Sequence, residues 1–270
     1  MTKMIGGYAS QGTPVGVLLA DTLTPRIIGD VGNGFSFDFP VRYQVVPEMR
    51  SFRRETADGK LREAVVKAAR QLAEEGGCLV IAAGSSMFSA FQKDISAAVS
   101  VPVMTDPLFM ASFLSQIIQP DKKIGILTLD ARLLSPGDCA GYGLEEDRIV
   151  IKGMEDRPVF MEAFSGQTIS FDLEDIEKEA VTAAEELCLA HPEIGAILCE
   201  SSVFSPFAAA INRRVCLPVF DTVNYINWAA SGVLRGLTSP FKNRLDGGTA
   251  ATPPAWGVKP EHLKGGRIKL

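Results

Sequence analysis

The feature that most constrains this chain is an internal repeat. Residues 63–103 lie over residues 179–219 without a gap, at an offset of 116, and 14 of the 41 positions are identical. Glu63, Ala64, Val65 and Ala68 fall on Glu179, Ala180, Val181 and Ala184, and Ile81 falls on Ile197. Ser85, Ser86, Phe88, Ser89 and Phe91 fall on Ser201, Ser202, Phe204, Ser205 and Phe207. Ile95, Val99, Pro102 and Val103 fall on Ile211, Val215, Pro218 and Val219. A shorter match lies upstream at an offset of 109, where Gly16, Leu18 and Asp21 meet Gly125, Leu127 and Asp130. Any two βαβ units look alike in outline. The recurrence of a polar Ser-Ser pair and of the Pro-Val spacing marks a duplication instead.

Both copies read in the same order. An apolar run opens each, 15–20 and 124–129, and apolar residues at helical spacing follow over 61–75 and 176–190. The next runs, 78–83 and 194–199, are apolar without alternation. Continuous apolarity means burial on both faces, as in a parallel strand. A second amphipathic helix over 88–99 or 206–215 leads to a last short strand, 101–104 or 217–220. Strands alternating with helices build parallel sheets with right-handed crossovers. The expected fold class is therefore α/β, with two pseudo-symmetric lobes arising from internal duplication, each a parallel sheet flanked by helices. The expected division is a first lobe of residues 1–107 plus 221–270, to which the helix-like 222–235 returns, and a second lobe of 108–220. The active cleft lies between them. Residues 236–270, rich in Gly and Pro, read as an extended strap or tail.

Composition removes several functions. A net charge of -5 leaves no basic footprint for nucleic acid or an anionic membrane. No apolar run is long enough to span a bilayer, and residues 1–13 have no apolar core of the kind a signal peptide needs. Cys78, Cys139, Cys188, Cys199 and Cys216 are scattered, odd in number and free of C-x-x-C spacing. That opposes a disulfide framework or a zinc site and fits a reducing cytoplasm. With only His191 and His262 present, a metal site is not expected. Neither G-x-G-x-x-G nor G-x-x-x-x-G-K-[ST] occurs, so no nucleotide cofactor is expected. Gly84-Ser85-Ser86-Met87 lacks the second Gly of a nucleophile elbow, and His191 precedes the strand that leads to Ser201, at its opposite end. A Ser–His–Asp triad is thereby disfavoured. The expected protein is a cytoplasmic homo-oligomer with a small-molecule partner.

In open α/β sheets ligands bind beyond the carboxyl ends of the strands. Those ends are Asp21-Thr22, Gly84-Ser85-Ser86, Thr105-Asp106, Thr128 to Asp130, Glu200-Ser201-Ser202 and Asp221-Thr222. Each Ser-Ser pair precedes a helix, whose first amide N–H groups favour an anion. One Ser before a helix is ordinarily a cap. Two pairs at matched positions point to a small carboxylate held between two helix starts. Asp21, Thr22, Ser86, Thr128 and Ser202 are the accompanying candidates for substrate binding. Arg26 is either a bidentate clamp for a second carboxylate or an ordinary surface arginine.

At these residues the chain resembles the aspartate/glutamate/hydantoin racemase superfamily. The likeness covers about residues 14–235. It rests on GVLLADTLTPRIIGDVGNGFSFDFPV, on GSSMFSAFQ before SVPV, on IGILTLDAR, and on ESSVFSPFAAAI before LPVFDTVNYINW. The resemblance implies two pseudo-symmetric lobes, no pyridoxal phosphate and no metal, and two facing cysteines acting as base and acid on opposite faces of an acidic carbon. By the flanking residues, those cysteines fall on Ser85 and Ser201. Cys199 lies two residues earlier, inside the buried strand. A thiol has a reference pKa of about 8.5, lowered further at a helix N-terminus, whereas an alcohol exchanges protons poorly near neutrality. Two-base transfer by Ser85 and Ser201 is accordingly weakened.

The implied function is a cofactor-independent racemase or isomerase of a small carboxylate, an amino acid or a hydantoin-like molecule. Ser85 and Ser201 stand at its acid/base positions. The alternatives are a decarboxylase or lyase of the same superfamily, and a non-catalytic carboxylate-binding protein. Three accounts of the serines are open. They replace an original cysteine pair, or the chemistry has changed and Asp21, Asp106, Asp130 or Glu200 supplies the acid or base, or the cleft only binds.

Overall fold

The structure, a computed structural model, describes residues 12–51, 59–164 and 168–234. The strap or tail expected over 236–270 lies outside them.

Among the described residues, eight strands form two four-stranded, all-parallel sheets. The first contains β1 (Val15–Ala20), β2 (Val41–Val46), β3 (Val80–Ala83) and β4 (Val103–Met104), in the order β2-β1-β3-β4. The second contains β5 (Lys123–Leu127), β6 (Ile149–Lys152), β7 (Ile194–Cys199) and β8 (Val219–Phe220), in the order β6-β5-β7-β8. Strand pairing reproduces both sequence offsets. Gly16 pairs with Ile81 as Gly125 pairs with Ile197, and Ile81 pairs with Val103 as Ile197 pairs with Val219. The duplication thus extends to register.

The edge strands β2 and β6 are absent from the sequence reading. Residues of β2 are mostly half-buried, and Arg42 and Gln44 interrupt its apolar run. An edge strand covered on one side loses the continuous apolarity by which the inner strands are read, and Val41-Arg42-Tyr43-Gln44-Val45 alternates instead.

The helices are α1 (Gly59–Arg70), extended by a π-helical segment Gln71–Glu75, α2 (Gln92–Ala98), α3 (Ala111–Ile117), α4 (Pro136–Ala140), α5 (Pro158–Ala163), α6 (Leu173–Ala190), α7 (Ala208–Val215) and α8 (Thr222–Val233). α1 and α2 cover one face of the first sheet through Val65, Ala69, Leu72, Phe88 and Ile95. α5, α6 and α7 cover the equivalent face of the second through Phe160, Ala180, Ala184, Phe204 and Ile211. Gly16 and Gly125 permit the close helix approach. A Cβ on Gly16 would lie 3.0 Å from Leu72, and one on Gly125 3.1 Å from Leu187.

The remaining faces are covered by exchange. α3, which follows the last strand of the first sheet, packs Ala111 and Leu114 on Ile124 and Ile126 of the second. α8, which follows the last strand of the second, packs Tyr225, Ile226 and Ala230 on Val15, Val17 and Val80 of the first. Asp221 caps α8 by accepting from the amides of Val223 (2.6 Å) and Asn224 (3.1 Å). Among the described residues no helix is long and apolar enough to cross a membrane.

After each Ser-Ser pair the chain enters a 3-10 helix, Ser86–Phe91 or Ser202–Phe207, before α2 or α7 begins. The sequence reading had α-helical periodicity starting near these points. The segments SMFSAF and SVFSPF repeat every three residues. A 3-10 helix has three residues per turn and eclipses i with i+3. Phe88 and Phe91, and likewise Phe204 and Phe207, therefore point together into the cores, fully buried. In the first copy the same eclipsing sets Ser86 and Ser89 together on the opposite side.

Candidate active site

The two copies meet at their strand ends. The Ser202 hydroxyl donates to the Gly84 carbonyl at 2.7 Å, tying one serine segment to the other. The Tyr142 hydroxyl, just beyond α4, donates to Asp106 Oδ2 at 2.8 Å at the end of β4. Gly29, at φ +98°, sits against Pro206, whose Cα would be 2.7 Å from an added Cβ. A cavity of about 480 Å3 lies between the copies, with Tyr142 and Asp106 in its lining, within the range of small-molecule sites.

Ser85, Ser86, Met87 and Ser89 line the cavity on one side, and Thr128, Asp130, Arg132 and Ser201 on the other. Asp106, Tyr142 and Glu200 lie in the same wall. The structure thus gathers Ser85, Ser86, Thr128 and Ser201 around one space. The two serines at its walls differ. Ser85 caps its helix by accepting from the Met87 amide at 3.3 Å. Ser201 is buried and makes no cap bond with its side chain.

The other sequence candidates lie elsewhere. Asp21, Thr22, Arg26 and Ser202 are not among the cavity lining. Asp21 is ion-paired with Arg50. Arg26 donates to Asp30 Oδ1 at 3.1 Å and to Thr22 Oγ1 at 2.8 Å, so its guanidinium is engaged inside its own loop. Asp30, in turn, accepts from the Gly32 amide at 2.7 Å.

The charged lining is unbalanced. Among the described residues, Asp106, Asp130, Asp138 and Glu200 contribute carboxylates to the lining and Arg132 contributes a guanidinium. Arg132 is already held by Asp130 through two bonds of 2.8 and 2.6 Å. Asp138 forms a capping box with Ser135. Asp106 and Glu200 are the buried pair. Asp106 accepts from the Leu108 amide at 2.9 Å, and Glu200 Oε2 accepts from the Thr128 hydroxyl at 2.8 Å. Burial, and then the negative charge of Glu200, push the Asp106 carboxyl up to about 7, against hydrogen bonds from Leu108, Tyr142 and Ser89. Burial, and next the charge of Asp106, raise the Tyr142 phenol.

None of the five cysteines lines the cavity. Cys199 is fully buried in the core of the second copy, and burial, then Asp221, holds its thiol well above the usual range. Cys139, in α4, is pushed to about 11 by burial and the charges of Asp138, Glu200 and Asp106. Tyr142 and Arg132 are cavity residues that the sequence reading missed. Arg132 sits in a single 3-10 turn, Ala131–Leu133, and Tyr142 in the turn after α4, both too short to show a periodicity.

Solved structures share this arrangement. Allantoin racemase from Klebsiella pneumoniae aligns over 83% of this chain and 89% of its own, with a TM-score of 0.56 and 16% identity. Arylmalonate decarboxylase aligns over 84% and 94%, with a TM-score of 0.54 and 16% identity. The chain shares the fold of these racemases and decarboxylases. No protein-family model matches the chain. Sequence relatives of the chain carry a different activity name. Dimethylsulfoniopropionate lyase of Durusdinium sp. clade D is 29% identical over 217 residues, covering 77% of this chain and 71% of that one. Dimethylsulfoniopropionate lyase 3 of Emiliania huxleyi is 26% identical over 265 residues, covering 93% and 68%.

Proposed function

We propose that this chain is a lyase acting on a small carboxylate that also carries a positively charged leaving group, as dimethylsulfoniopropionate does. The charge of the cavity lining carries the reading. Among the described residues of the lining, four carboxylates stand with one guanidinium, which Asp130 already holds, and this acidic lining favours a cationic centre in the substrate. A malonate or an acidic amino acid, each with two carboxylates, meets repulsion in the same space. The lyase-named relatives support the reading independently.

Ser85 and Ser201 keep a role in binding. Their hydroxyls, with the amides beyond them, suit the substrate carboxylate at the walls of the cavity. Racemisation, the main expectation from the family resemblance, is the weaker reading. It calls for an acid–base group on each face of the carbon, and no thiol lines this cavity.

The test supplies dimethylsulfoniopropionate to the folded protein and measures dimethyl sulfide in the headspace and acrylate in solution. Aspartate, glutamate, allantoin and an arylmalonate are run in parallel in heavy water, read for α-deuterium and carbon dioxide. The lyase reading expects sulfide and acrylate in equal amounts. Silence toward the sulfonium combined with α-exchange on an amino acid would restore the racemase reading.

A further inference from the structure

We infer that the buried Asp106–Glu200 pair, rather than Ser85 or Ser201, takes up the substrate proton in this cavity. The inference rests on the lyase reading above and names the groups that perform it.

Broken symmetry is the first observation. The serines are duplicated at matched positions but Glu200 is not, and Asp106 has only a counterpart one position off, Asp221, which caps α8. At the offset of 116, Glu200 falls on Gly84 and Asp106 falls on Thr222. The fold nevertheless brings both acids to one cavity, Asp106 from the end of β4 and Glu200 from the end of β7. The cavity therefore has hydroxyls on both walls and a carboxylate pair at one place. Racemisation needs matched groups on two faces. An elimination needs a base on one.

Burial is the second observation. A carboxylate that only caps a helix needs one oxygen and stays hydrated at little cost. Asp106 does cap, yet it is 2% exposed and stands beside Glu200, 8% exposed. Two neighbouring buried carboxylates destabilise a fold, and their survival in a cleft points to chemistry. The charged and titratable groups that act on Asp106 or feel its charge are Glu200, Tyr142 beyond α4, Cys139 in α4 and Tyr225 in α8. Among the described residues no Lys or Arg is among the groups that shift it, and burial beside Glu200 brings the Asp106 carboxyl up to about 7, where a general base is most effective.

A third observation is Ser201. It lies 6% exposed beside Glu200 in the chain, lines the cavity and makes no cap bond. Its hydroxyl is not spent on capping, which suits a role toward a substrate carboxylate. An alcohol is too weak a base to take the proton itself.

The step balances as follows. The ionised pair takes the proton on the carbon next to the substrate carboxylate. The released C–H electrons form the carbon–carbon double bond, and the adjacent carbon–sulfur bond breaks with its electrons passing to sulfur. Neutral dimethyl sulfide and acrylate leave. The proton passes from the pair to water, which restores the starting charge.

The experiment compares wild type with Asp106→Asn, Glu200→Gln, Ser85→Ala and Ser201→Ala, each confirmed folded by circular dichroism. Asp106→Asn and Glu200→Gln should each lower kcat by about 100-fold or more, the range for general-base removal. Ser85→Ala and Ser201→Ala should chiefly raise KM, with kcat changed less than about tenfold. If either carboxylate variant unfolds, the other decides. Sulfide release by the wild type that survives both carboxylate substitutions, or that disappears in kcat with the serines, overturns the inference and leaves the lyase reading standing. A folded wild type that releases no sulfide overturns both.

Discussion

Asp106 and Asp130 have the same local grammar. Each ends a strand or the turn after it, and each accepts from the amide two residues on, Leu108 or Arg132. Their surroundings separate them. Asp130 meets Arg132, which lowers its carboxyl, whereas Asp106 meets burial and Glu200, which raise it. Tyr142 opposes that rise by donating to the ionised form. Its replacement, Tyr142→Phe, should move the acid limb of the kcat/KM profile to higher pH by about one unit. A loss of rate with an unmoved limb would mean that Tyr142 only packs. Stability gives a second readout. The folded carboxyl of Asp106 lies above its unfolded value of 3.8, so its stabilising contribution is complete below about pH 4 and is lost as pH rises through about 7. Asp106→Asn should therefore gain in Tm relative to wild type between pH 5 and pH 8, as followed by thermal melts at both. At this scale the sequence names the residues but not their pairings. Asp21 and Arg50 are 29 positions apart, and nothing in the chain's pattern announces that they meet. Arg26 is the exception: its partners Thr22 and Asp30 sit at four-residue spacing and were open to inspection.

The elements were legible wherever burial is two-sided. β1 and β3 are buried throughout and β7 nearly so, and each was found from its unbroken apolar run. β2 and β6 escaped because an edge strand mixes Arg42, Gln44 or Lys152 with its apolar residues. The 3-10 segments were misjudged for a different reason. Their triplet period was visible, but Phe at i and i+3 also fits an α-helix, and only the register of Ser86 and Ser89 toward the cavity distinguishes the two. Phe88 and Phe204 hold equivalent places under their sheets, both fully buried. Truncation to Ala at either should cost about 3–5 kcal/mol in urea unfolding, with the two values similar. A large disparity would show that the repeated motif does not carry equal weight in the two copies.

At the scale of the whole molecule, the duplication builds two sheets and the exchange of α3 and α8 fastens them. Sequence order hinted at the return of the last helix to the first sheet, but not at the reciprocal crossing of α3, because a short amphipathic helix fits either sheet equally well. The loop carrying Gly29 supplies a further fastening where it rests on Pro206. Gly29→Ala combines a left-handed backbone with a backbone clash, and should destabilise by roughly 1–3 kcal/mol. An unchanged urea midpoint would mean that the loop yields freely. The assembled cavity inherits a near two-fold arrangement of serines and then departs from it, with both buried carboxylates in one place.

That departure is the centre of the account, and stereochemistry reads it directly. Dimethylsulfoniopropionate carrying a single deuterium on the carbon next to its carboxylate exists in two mirror-related forms. Each is converted by the wild-type protein, and the acrylate is analysed by mass spectrometry. A base at one place removes the hydrogen from one face only, so one form yields acrylate that keeps its deuterium and the other yields acrylate that has lost it. Partial loss of deuterium from both forms alike would contradict a one-sided site.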